Sequence, residues 1–396
     1  MLTSACCSGH NPLSCIVPDY VLEQMADHGD PKIRESVNHT LTMSRAIRAD
    51  REVLSRAAQM GDPAGQASRG KQRFVYTADN TDSLRRRLVR SEGAGPNTDV
   101  SVNEVYDGFG NTYDFLKNAF GRDSVDGSGM SLIGTVHLGV QYNNAFWTGR
   151  EMGFGDGDGV LFRSFTKSLD VIGHELGHGV VTFNGNGGLL YRDQSGALNE
   201  SVADVLGTLV KQYSRRENVN TADWLVGSDI MVSALCLRSM RDPHEGFGRS
   251  PNGTPGQPSH MREYDNTTAD NGGVHINSGI PNHAFYKFAM RLGGNAWERA
   301  GRVWYDTLTR GQLPSGMDSF GNPQGPFATF QMFADATMRF TANASEADQL
   351  AQSWADVGIT VAHSGTGSGG GDNSVAALKA KLEGIRRELD DVIQSI

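Results

Sequence analysis

Cysteines and long apolar runs are scarce in this chain. Only 4 of its 396 residues are cysteine; Cys6, Cys7 and Cys15 lie within the first fifteen positions, and Cys236 stands alone in an apolar segment. A chain of this size with so few cysteines has no disulfide framework. No stretch approaches the roughly 20 consecutive apolar residues that a membrane-spanning helix needs, so we expect no membrane span.

The N-terminus also lacks the pattern of a secretory signal peptide. Such a signal begins with basic residues that precede an apolar run, whereas the first basic residue here is Lys32. We therefore expect a cytoplasmic protein, or one that is exported by a non-classical route.

An excess of basic residues is lacking as well. The formal net charge is -9, and the acidic excess lies between residues 72 and 362. This charge argues against a nucleic-acid binder, which needs Lys and Arg to neutralise phosphates. The length and the hydrophobic content of 38% allow two packed domains, and the 49 glycines indicate many turns.

The order of patterns along the chain suggests separate regions. Asp30 and Pro31 form a helix-start signal, and an apolar helical repeat follows until residues 61–63 end it. The polar segment 61–71 is typical of a linker that proteases can reach. Residues 73–77 predict a first strand, after which strands dominate to about residue 165 and helices dominate later. This order predicts an α+β lobe joined to an α-helical lobe.

The C-terminal tail has its own pattern. Residues 364–373 are rich in Gly and Ser and predict a flexible tether. Behind it, apolar residues recur at alternating spacings of three and four, as in a short coiled coil. The repeat comprises Val375, Leu378, Leu382, Ile385, Leu389, Val392 and Ile396. It predicts self-association or a partner bound through residues 375–396; the alternative is a helix lying on the surface of its own chain.

A candidate metal-binding and catalytic motif is the sequence His174-Glu175-Leu176-Gly177-His178. Positions i and i+4 share one face of a helix, so both imidazoles can bind one metal ion. Glu200 follows in another helical pattern and could supply a third ligand. Hydrolytic zinc sites use three protein ligands and keep a position for water, and Glu175 stands beside it as a base.

Three further blocks accompany this motif in order: residues 143–147, residues 196–204 and residues 270–279. With all four blocks, residues 72–362 resemble the thermolysin family of gluzincin metalloproteases. The resemblance implies an α+β, two-lobed zinc endopeptidase. Its strand-rich N-terminal lobe would span residues 72–228 and its helical lobe residues 229–362, with the zinc site in the cleft between them.

The resemblance assigns roles residue by residue. His174, His178 and Glu200 match the zinc ligands, and Asp204 matches the carboxylate that orients a zinc histidine. Asn199 is implied to support the ligands from behind. The resemblance implies catalytic roles for four residues. Glu175 would transfer the proton of the attacking water, Tyr191 and His275 would stabilise the oxyanion, and Asp270 would hold the imidazole of His275.

The resemblance also implies how peptides bind. Arg238 matches an arginine that holds a substrate carbonyl, while Asn144 and the carbonyl of Ala145 match groups that hold the peptide backbone. An apolar pocket for the residue after the scissile bond is implied, although ordinary core packing explains the same residues nearly as well. The candidates are Phe162, Phe165, Val171, Val226 and Leu237. We therefore expect cleavage before bulky apolar residues; the alternative is an inactive zinc-binding scaffold that acts through its C-terminal coiled-coil segment.

Two departures from thermolysin stand out. The segment 184–188, before Tyr191, is longer by two residues. At the paired-calcium site Asp170 and Asp223 remain, but the family's other carboxylates are replaced; Lys211, Leu225 and Ser228 stand in their place. A lysine ammonium there could replace the positive charge of calcium, so we expect the double calcium site to be largely absent. A single calcium ion held by other oxygen atoms remains an alternative.

Residues 18–23 and 38–41 resemble the short prosegment of the protealysin-like subgroup, with Asp19 as a departure. The resemblance implies that residues 1–71 form a helical propeptide and processing region, which blocks the cleft until it is cut between about residues 50 and 72. For Cys7, His10 and Cys15 three interpretations stay open: a thiolate cap on the catalytic zinc, a separate metal site, or loose cysteines.

Overall fold

The computed structural model of the protein describes residues 14–27, 30–58, 70–317 and 323–362. The predicted tether and heptad repeat, residues 363–396, lie outside the described residues. So do Cys7, His10 and residues 59–69 of the predicted processing region.

The N-terminal segment is mainly helical, as its sequence pattern predicts. A two-residue strand β1 (Ser14–Cys15) precedes helices α1 (Asp19–Ala26) and α2 (Pro31–Ala58). The Asp30 carboxylate accepts a hydrogen bond of 2.9 Å from the backbone amide of Lys32, which satisfies one of the amides that a helix start leaves unpaired.

One six-stranded sheet organises the first half of the chain. The strand order is β1-β5-β6-β4-β2-β3, in which β2 pairs in parallel with β4, β4 pairs in parallel with β6, and the other pairs are antiparallel. The further strands are β2 (Arg73–Thr77), β3 (Arg87–Ser91), β4 (Leu132–Val136), β5 (Ala145–Trp147) and β6 (Met152–Phe154).

Strand β1 is an element that the sequence patterns did not predict. Residues 73–77 do form a strand, but β1 precedes it and extends the same sheet by pairing with β5. Two residues are too short to show the alternation that identifies a strand. The N-terminal segment is therefore part of the sheet edge, in addition to being helical.

Helices α3 (Val100–Phe120), α4 (Leu169–Thr182) and α5 (Asp193–Arg215) form the centre of the molecule. Helices α4 and α5 approach closely because glycine faces the contact. A Cβ atom on Gly173 would lie 2.9 Å from the Cα of Gly207, and one on Gly177 would lie 3.0 Å from the Cα of Ala203. This close approach brings the two motif-bearing helix faces together.

The second half of the described chain is mostly helical. A ribbon of β7 (Leu225–Val226) and β8 (Arg238–Ser239) leads into it, and a hairpin of β9 (Ser315–Met317) and β10 (Pro323–Phe327) interrupts it. The helices are α6 (Asp270–Asn277), α7 (Gly279–Leu292), α8 (Ala300–Arg310), α9 (Phe330–Thr337) and α10 (Ala344–Ala355). Their core centres on Trp304 and Trp354, whose stacked rings are 5.5 Å apart. Within the described ranges no helix has the length and apolar character to cross a membrane.

Candidate metal centre and substrate cleft

Three buried side chains converge between α4 and α5. The Nε2 atoms of His174 and His178 lie 3.0 Å apart, and the carboxylate oxygens of Glu200 lie 3.5 Å from each of them. Burial lowers the pKa of His178 to about 4, so its imidazole is neutral, as a metal ligand must be. Burial would raise the pKa of Glu200, but the neighbouring histidines and Arg238 lower it overall. Two imidazoles and one carboxylate fit a hydrolytic zinc site.

The far side of each imidazole is held in place. Nδ1 of His174 lies 2.8 Å from Asp204, and Nδ1 of His178 lies 2.9 Å from the side-chain oxygen of Asn199. A proton on each Nδ1 leaves the lone pair of Nε2 free for a metal ion. The structure thus places Asp204 and Asn199 against the two imidazoles, and their role in supporting the zinc ligands stays a prediction.

Glu175 is fully buried beside the three ligand residues, and within the described chain neither carboxylate oxygen accepts a hydrogen bond of ordinary geometry. Burial and the charge of Glu200 raise its pKa well above the usual value, while Arg238 and the backbone amides of Trp147 and Ile16 act in the opposite direction. A buried carboxyl group without partners is expensive. Its position therefore suits a residue that meets water or a substrate.

Tyr191, His275 and Asp270 form a chain that ends at Glu200. The hydroxyl of Tyr191 donates to Glu200 and lies 3.1 Å from Nε2 of His275, whose Nδ1 lies 2.7 Å from Asp270. Burial alone would lower the pKa of His275, but Glu200 and Asp270 raise it to about 9. In this arrangement the imidazole is protonated near neutral pH, so it can donate a hydrogen bond.

The predicted peptide-binding groups contact the N-terminal segment. The amide of Ile16 donates to the carbonyl of Ala145 at 3.1 Å, and its carbonyl accepts from Arg238 at 3.0 Å. Asn144 makes two bonds to Val17, accepting from its amide at 3.0 Å and donating to its carbonyl at 2.8 Å. Sequence reasoning missed Ile16 and Val17, although an extended apolar pair before Pro18 was a usable signal.

The five candidate pocket residues are all buried in one hydrophobic core. The rings of Phe162 and Phe165 are 5.5 Å apart, and Ile16 is fully buried in the same cluster. The full set is Phe162, Phe165, Val171, Val226 and Leu237. Burial agrees with a pocket and with core packing, so both interpretations remain.

Asn282 is a further residue that the sequence did not single out. Its amide donates to Asp204 at 2.8 Å, so it satisfies a carboxylate that also contacts His174 and Arg238. A lone asparagine on the buried face of α7 carries no motif that could have identified it.

The turn at residues 184–188, before Tyr191, is held together by its own hydrogen bonds. The side-chain oxygen of Asn184 accepts from the amides of Asn186 at 2.7 Å and of Gly188 at 3.1 Å. The amide of Leu190 then donates to the carbonyl of Ser315 in β9 at 3.1 Å. The hairpin therefore supports the segment that carries Tyr191.

Lys211 occupies the position where the sequence suggested a lost calcium site. Its ammonium lies 2.9 Å from Asp170, 2.8 Å from Asp223 and 3.2 Å from the carbonyl of Leu225. The cationic side chain thus meets the same oxygens that a bound cation would meet. Among the described residues the only group of three or more His, Cys, Asp or Glu that could hold a metal ion is His174, His178 and Glu200.

Comparison with known proteins identifies the family. The model of the thermolysin metallopeptidase catalytic domain matches residues 69–182, and that of its α-helical domain matches residues 187–359. An extracellular metalloprotease of Pectobacterium carotovorum subsp. carotovorum is 42% identical over 356 residues, which cover 88% of this chain and 97% of that protein. The chain belongs to the thermolysin family.

Two further relatives agree with this assignment. Protease PrtS of Photorhabdus sp. (strain Az29) is 38% identical over 360 residues, covering 89% of this chain and 94% of the relative. The structure of the precursor of protealysin from Serratia proteamaculans is 40% identical, with a TM-score of 0.75, and covers 88% of this chain and 100% of that one. The two-lobed thermolysin-like fold is confirmed, with a strand-rich N-terminal and a helical C-terminal domain.

These findings decide several expectations. The prediction of a zinc-dependent endopeptidase made with a propeptide is confirmed. The alternative prediction, an inactive zinc-binding scaffold, is not supported. The expected cytoplasmic location is wrong, because the Pectobacterium relative bears the name extracellular metalloprotease, which points to secretion.

Proposed function

We propose that this thermolysin-family protease hydrolyses peptide bonds that precede bulky apolar residues, and that residues 1–71 inhibit it until they are removed. One observation carries the proposal. Backbone groups of Ile16 and Val17 are bound by Ala145, Asn144 and Arg238 beside the zinc-ligand residues. A chain segment that binds there excludes any other peptide.

The proposed chemistry divides among a few groups. A zinc ion held by His174, His178 and Glu200 would polarise the substrate carbonyl and lower the pKa of water. Glu175 accepts the proton of the attacking water and delivers it to the leaving amine. Tyr191 and His275 donate hydrogen bonds to the oxyanion as its charge develops, a term typically worth about 3–4 kcal/mol per donor.

Substrate preference follows from Ile16. Its amide and carbonyl are bound by Ala145 and Arg238, and its side chain is fully buried in the cluster that contains Val171 and Leu237. An apolar residue after the scissile bond would bury the same surface, which contributes about 1.5–3 kcal/mol for a Leu or Ile side chain.

Peptide hydrolysis tests the proposal. Processed, zinc-loaded protein should cut peptides before Ile, Leu or Phe much faster than before Asp, and a zinc chelator should stop it. Glu175→Gln should lower kcat by roughly a hundredfold to ten-thousandfold while the zinc content stays the same. A processed, zinc-loaded wild type that leaves all such peptides intact would refute the assignment.

A second proposal concerns the tail. We infer that residues 375–396 mediate self-association, supported by their heptad repeat of apolar residues. Sedimentation equilibrium of Glu175→Gln protein should give a multiple of the monomer mass, and truncation after Ala362 or the single change Leu382→Asp should give the monomer. A monomer mass for the full chain would instead favour a helix on the protein's own surface.

A further inference from the structure

We propose that the enzyme cuts its own N-terminal segment at the bond between Cys15 and Ile16, within the same molecule. This inference rests on the proposed function, because it requires the same hydrolytic groups. It goes further by assigning a particular substrate bond, one that lies well before the predicted processing region at residues 50–72.

The first step is the register of the bound segment. Ser14 pairs with Trp147 and Cys15 with Phe146 in an antiparallel ladder. The ladder continues through the amide of Ile16 to the carbonyl of Ala145, and Val17 then pairs with the side chain of Asn144. Four consecutive residues thus follow the edge strand without a gap, as an extended peptide substrate added to a sheet edge would.

The second step identifies the bond that meets the catalytic groups. The carbonyl of Ala145 accepts a hydrogen bond of 3.1 Å from the amide of Ile16, and Asn144 binds the amide and the carbonyl of the next residue, Val17. Arg238 holds the carbonyl on the far side of Ile16 at 3.0 Å. The proposed peptide-binding groups therefore hold Ile16 as they would hold the substrate residue that follows a scissile bond, which makes Cys15–Ile16 the bond to be cut.

The third step is the fit of the side chain after this bond. Ile16 is 0% exposed and lies in the cluster that contains the proposed pocket residues Phe162 and Leu237. An apolar residue at this place is what the proposed preference demands. The Cys15–Ile16 bond thus lies in a segment that pairs with the sheet edge as a substrate would, and it is followed by a buried apolar side chain.

The reaction balances with water alone. The water oxygen bonds to the carbonyl carbon of Cys15, the bond from that carbon to the nitrogen of Ile16 breaks, and Glu175 transfers the water proton to the nitrogen. The second water proton passes from the new carboxyl group to the amine, so the products are a peptide of residues 1–15 with a new carboxylate and a chain that begins with the ammonium group of Ile16.

The cut chain should stay in the cleft. Beyond Ile16, helix α1 buries Val21, Leu22 and Met25, and α2 contacts Asn143 and Asp158 through hydroxyl groups. These contacts do not depend on residues 1–15. Cleavage at Cys15–Ile16 therefore precedes activation, which still requires the loss of the helices.

Mass spectrometry of the zinc-loaded full-length protein tests the inference. After incubation in water enriched in oxygen-18, the wild type should release residues 1–15 with one oxygen-18 atom in the Cys15 carboxylate, and N-terminal sequencing should read Ile16. The rate should be unchanged over a roughly hundredfold range of protein concentration, as expected for a reaction within one molecule.

Variants isolate the cause. Glu175→Gln should keep its zinc and leave the bond intact, even when mixed with wild type. Ile16→Asp should slow this cut at least tenfold, whereas Ile16→Leu should keep it near the wild-type rate. If both Ile16 variants behave alike, or if the rate rises with protein concentration, the inference is wrong.

External peptides separate two kinds of failure. Wild type that hydrolyses an apolar test peptide after removal of residues 1–71, but keeps its Cys15–Ile16 bond intact as the full chain, overturns this inference and leaves the proposed function standing. Protein that cuts neither overturns the proposed function as well.

Discussion

Asp204 binds His174 and Arg238 at the same time. Its Oδ1 atom lies 2.8 Å from Nδ1 of His174 and 2.7 Å from the guanidinium of Arg238, which makes a second bond of 2.8 Å to Oδ2. Burial would raise the pKa of Asp204, but the charge of Arg238 and the hydrogen bonds from Arg238 and His174 hold it far below the usual range. One carboxylate thus contacts both a zinc ligand and a proposed peptide-binding residue.

Removing the charge of Asp204 should therefore disturb two functions together. We expect Asp204→Asn to weaken zinc binding by about tenfold to a hundredfold, and to raise KM because Arg238 loses a bidentate partner. A chelator competition titration measures the first effect, and peptide kinetics at saturating zinc measure the second.

Asn282→Ala is the matched control, because it removes a single hydrogen bond from a neutral amide to the same carboxylate. Its effect on zinc affinity should be smaller than that of Asp204→Asn. Equal effects of the two variants would show that the charge of Asp204 is not what matters.

Lys211 should be essential to stability, because its ammonium is almost fully buried between Asp170 and Asp223. Lys211→Met would leave the Asp170 carboxylate buried without a cation, at a cost of about 3–5 kcal/mol. Urea unfolding in the Glu175→Gln background, which avoids self-digestion, measures the loss. Lys117→Met is the control, since its 3.7 Å pair with Asp123 is partly exposed and should contribute less than about 1 kcal/mol.

Calcium should matter little at this position in the wild type. The unfolding midpoint should be the same in excess calcium and in calcium-free buffer when both contain saturating zinc, because Lys211 already supplies positive charge to both carboxylates. A large rise of the midpoint with calcium would contradict the role given to the lysine.

His137 should make the free energy of unfolding fall as the pH rises into the alkaline range. Its Nδ1 lies 2.8 Å from Asp156 and its Nε2 lies 2.8 Å from Asp99. The bond to Asp156 raises the pKa of His137, burial opposes this, and Asp99 raises it further, to about 9. Because the folded pKa lies above the unfolded value of about 6.5, the stabilisation is complete below about pH 6.5 and is lost as the pH rises through about 9.

The direction of this pH dependence can be checked by comparing the unfolding free energies of proteins with His137 and with His137→Gln. In the Glu175→Gln background, the difference in unfolding free energy should be on the order of 1 kcal/mol or more near pH 6, and it should shrink towards pH 10. A difference that stays constant across this range would mean that the imidazolium charge contributes nothing.

The zinc site could be predicted from sequence because its signals are local. His174 and His178 are one helical turn apart, and the spacing alone places them on one face. Asp204 follows Glu200 by one turn in the same way. The role of Lys211 could be predicted because an ammonium group, like a metal ion, is attracted to the carboxylate of Asp170.

The remaining features depend on contacts between distant parts of the chain. Cys15 pairs with Phe146, and Asn282 reaches Asp204 across the helix interface. Neither residue carries a pattern of its own, since a short strand and a single polar residue on a helix occur in many settings. Their roles became visible only when the fold brought the partners together.

Three hydroxyl groups on α2 provide the last prediction. Ser36, Thr40 and Ser44 follow each other at intervals of four residues, so they share one helix face. Ser36 donates to Asp158 at 2.9 Å, Thr40 accepts from the amide of Asn143 at 3.0 Å, and Ser44 lies 2.9 Å from the hydroxyl of Tyr142. This face holds the N-terminal segment to Tyr142 and Asn143, which precede β5, and to Asp158, which follows β6. These contacts lie at a distance along the chain from those that Ile16 makes in the cleft.

Thr40→Val should therefore weaken inhibition. The change leaves the buried amide of Asn143 without its acceptor, at a cost of about 1–3 kcal/mol, which corresponds to a roughly fivefold to hundredfold weaker hold on the segment. Activity from full-length protein should then appear earlier in a continuous peptide assay. Thr42→Val is the matched control, because Thr42 is exposed and bonds only within its own helix, to the carbonyl of Asn38 at 2.8 Å. If both variants activate at the wild-type rate, the hydroxyl face of α2 does not restrain the segment, and the contacts of Ile16 and Val17 with the cleft must hold it instead.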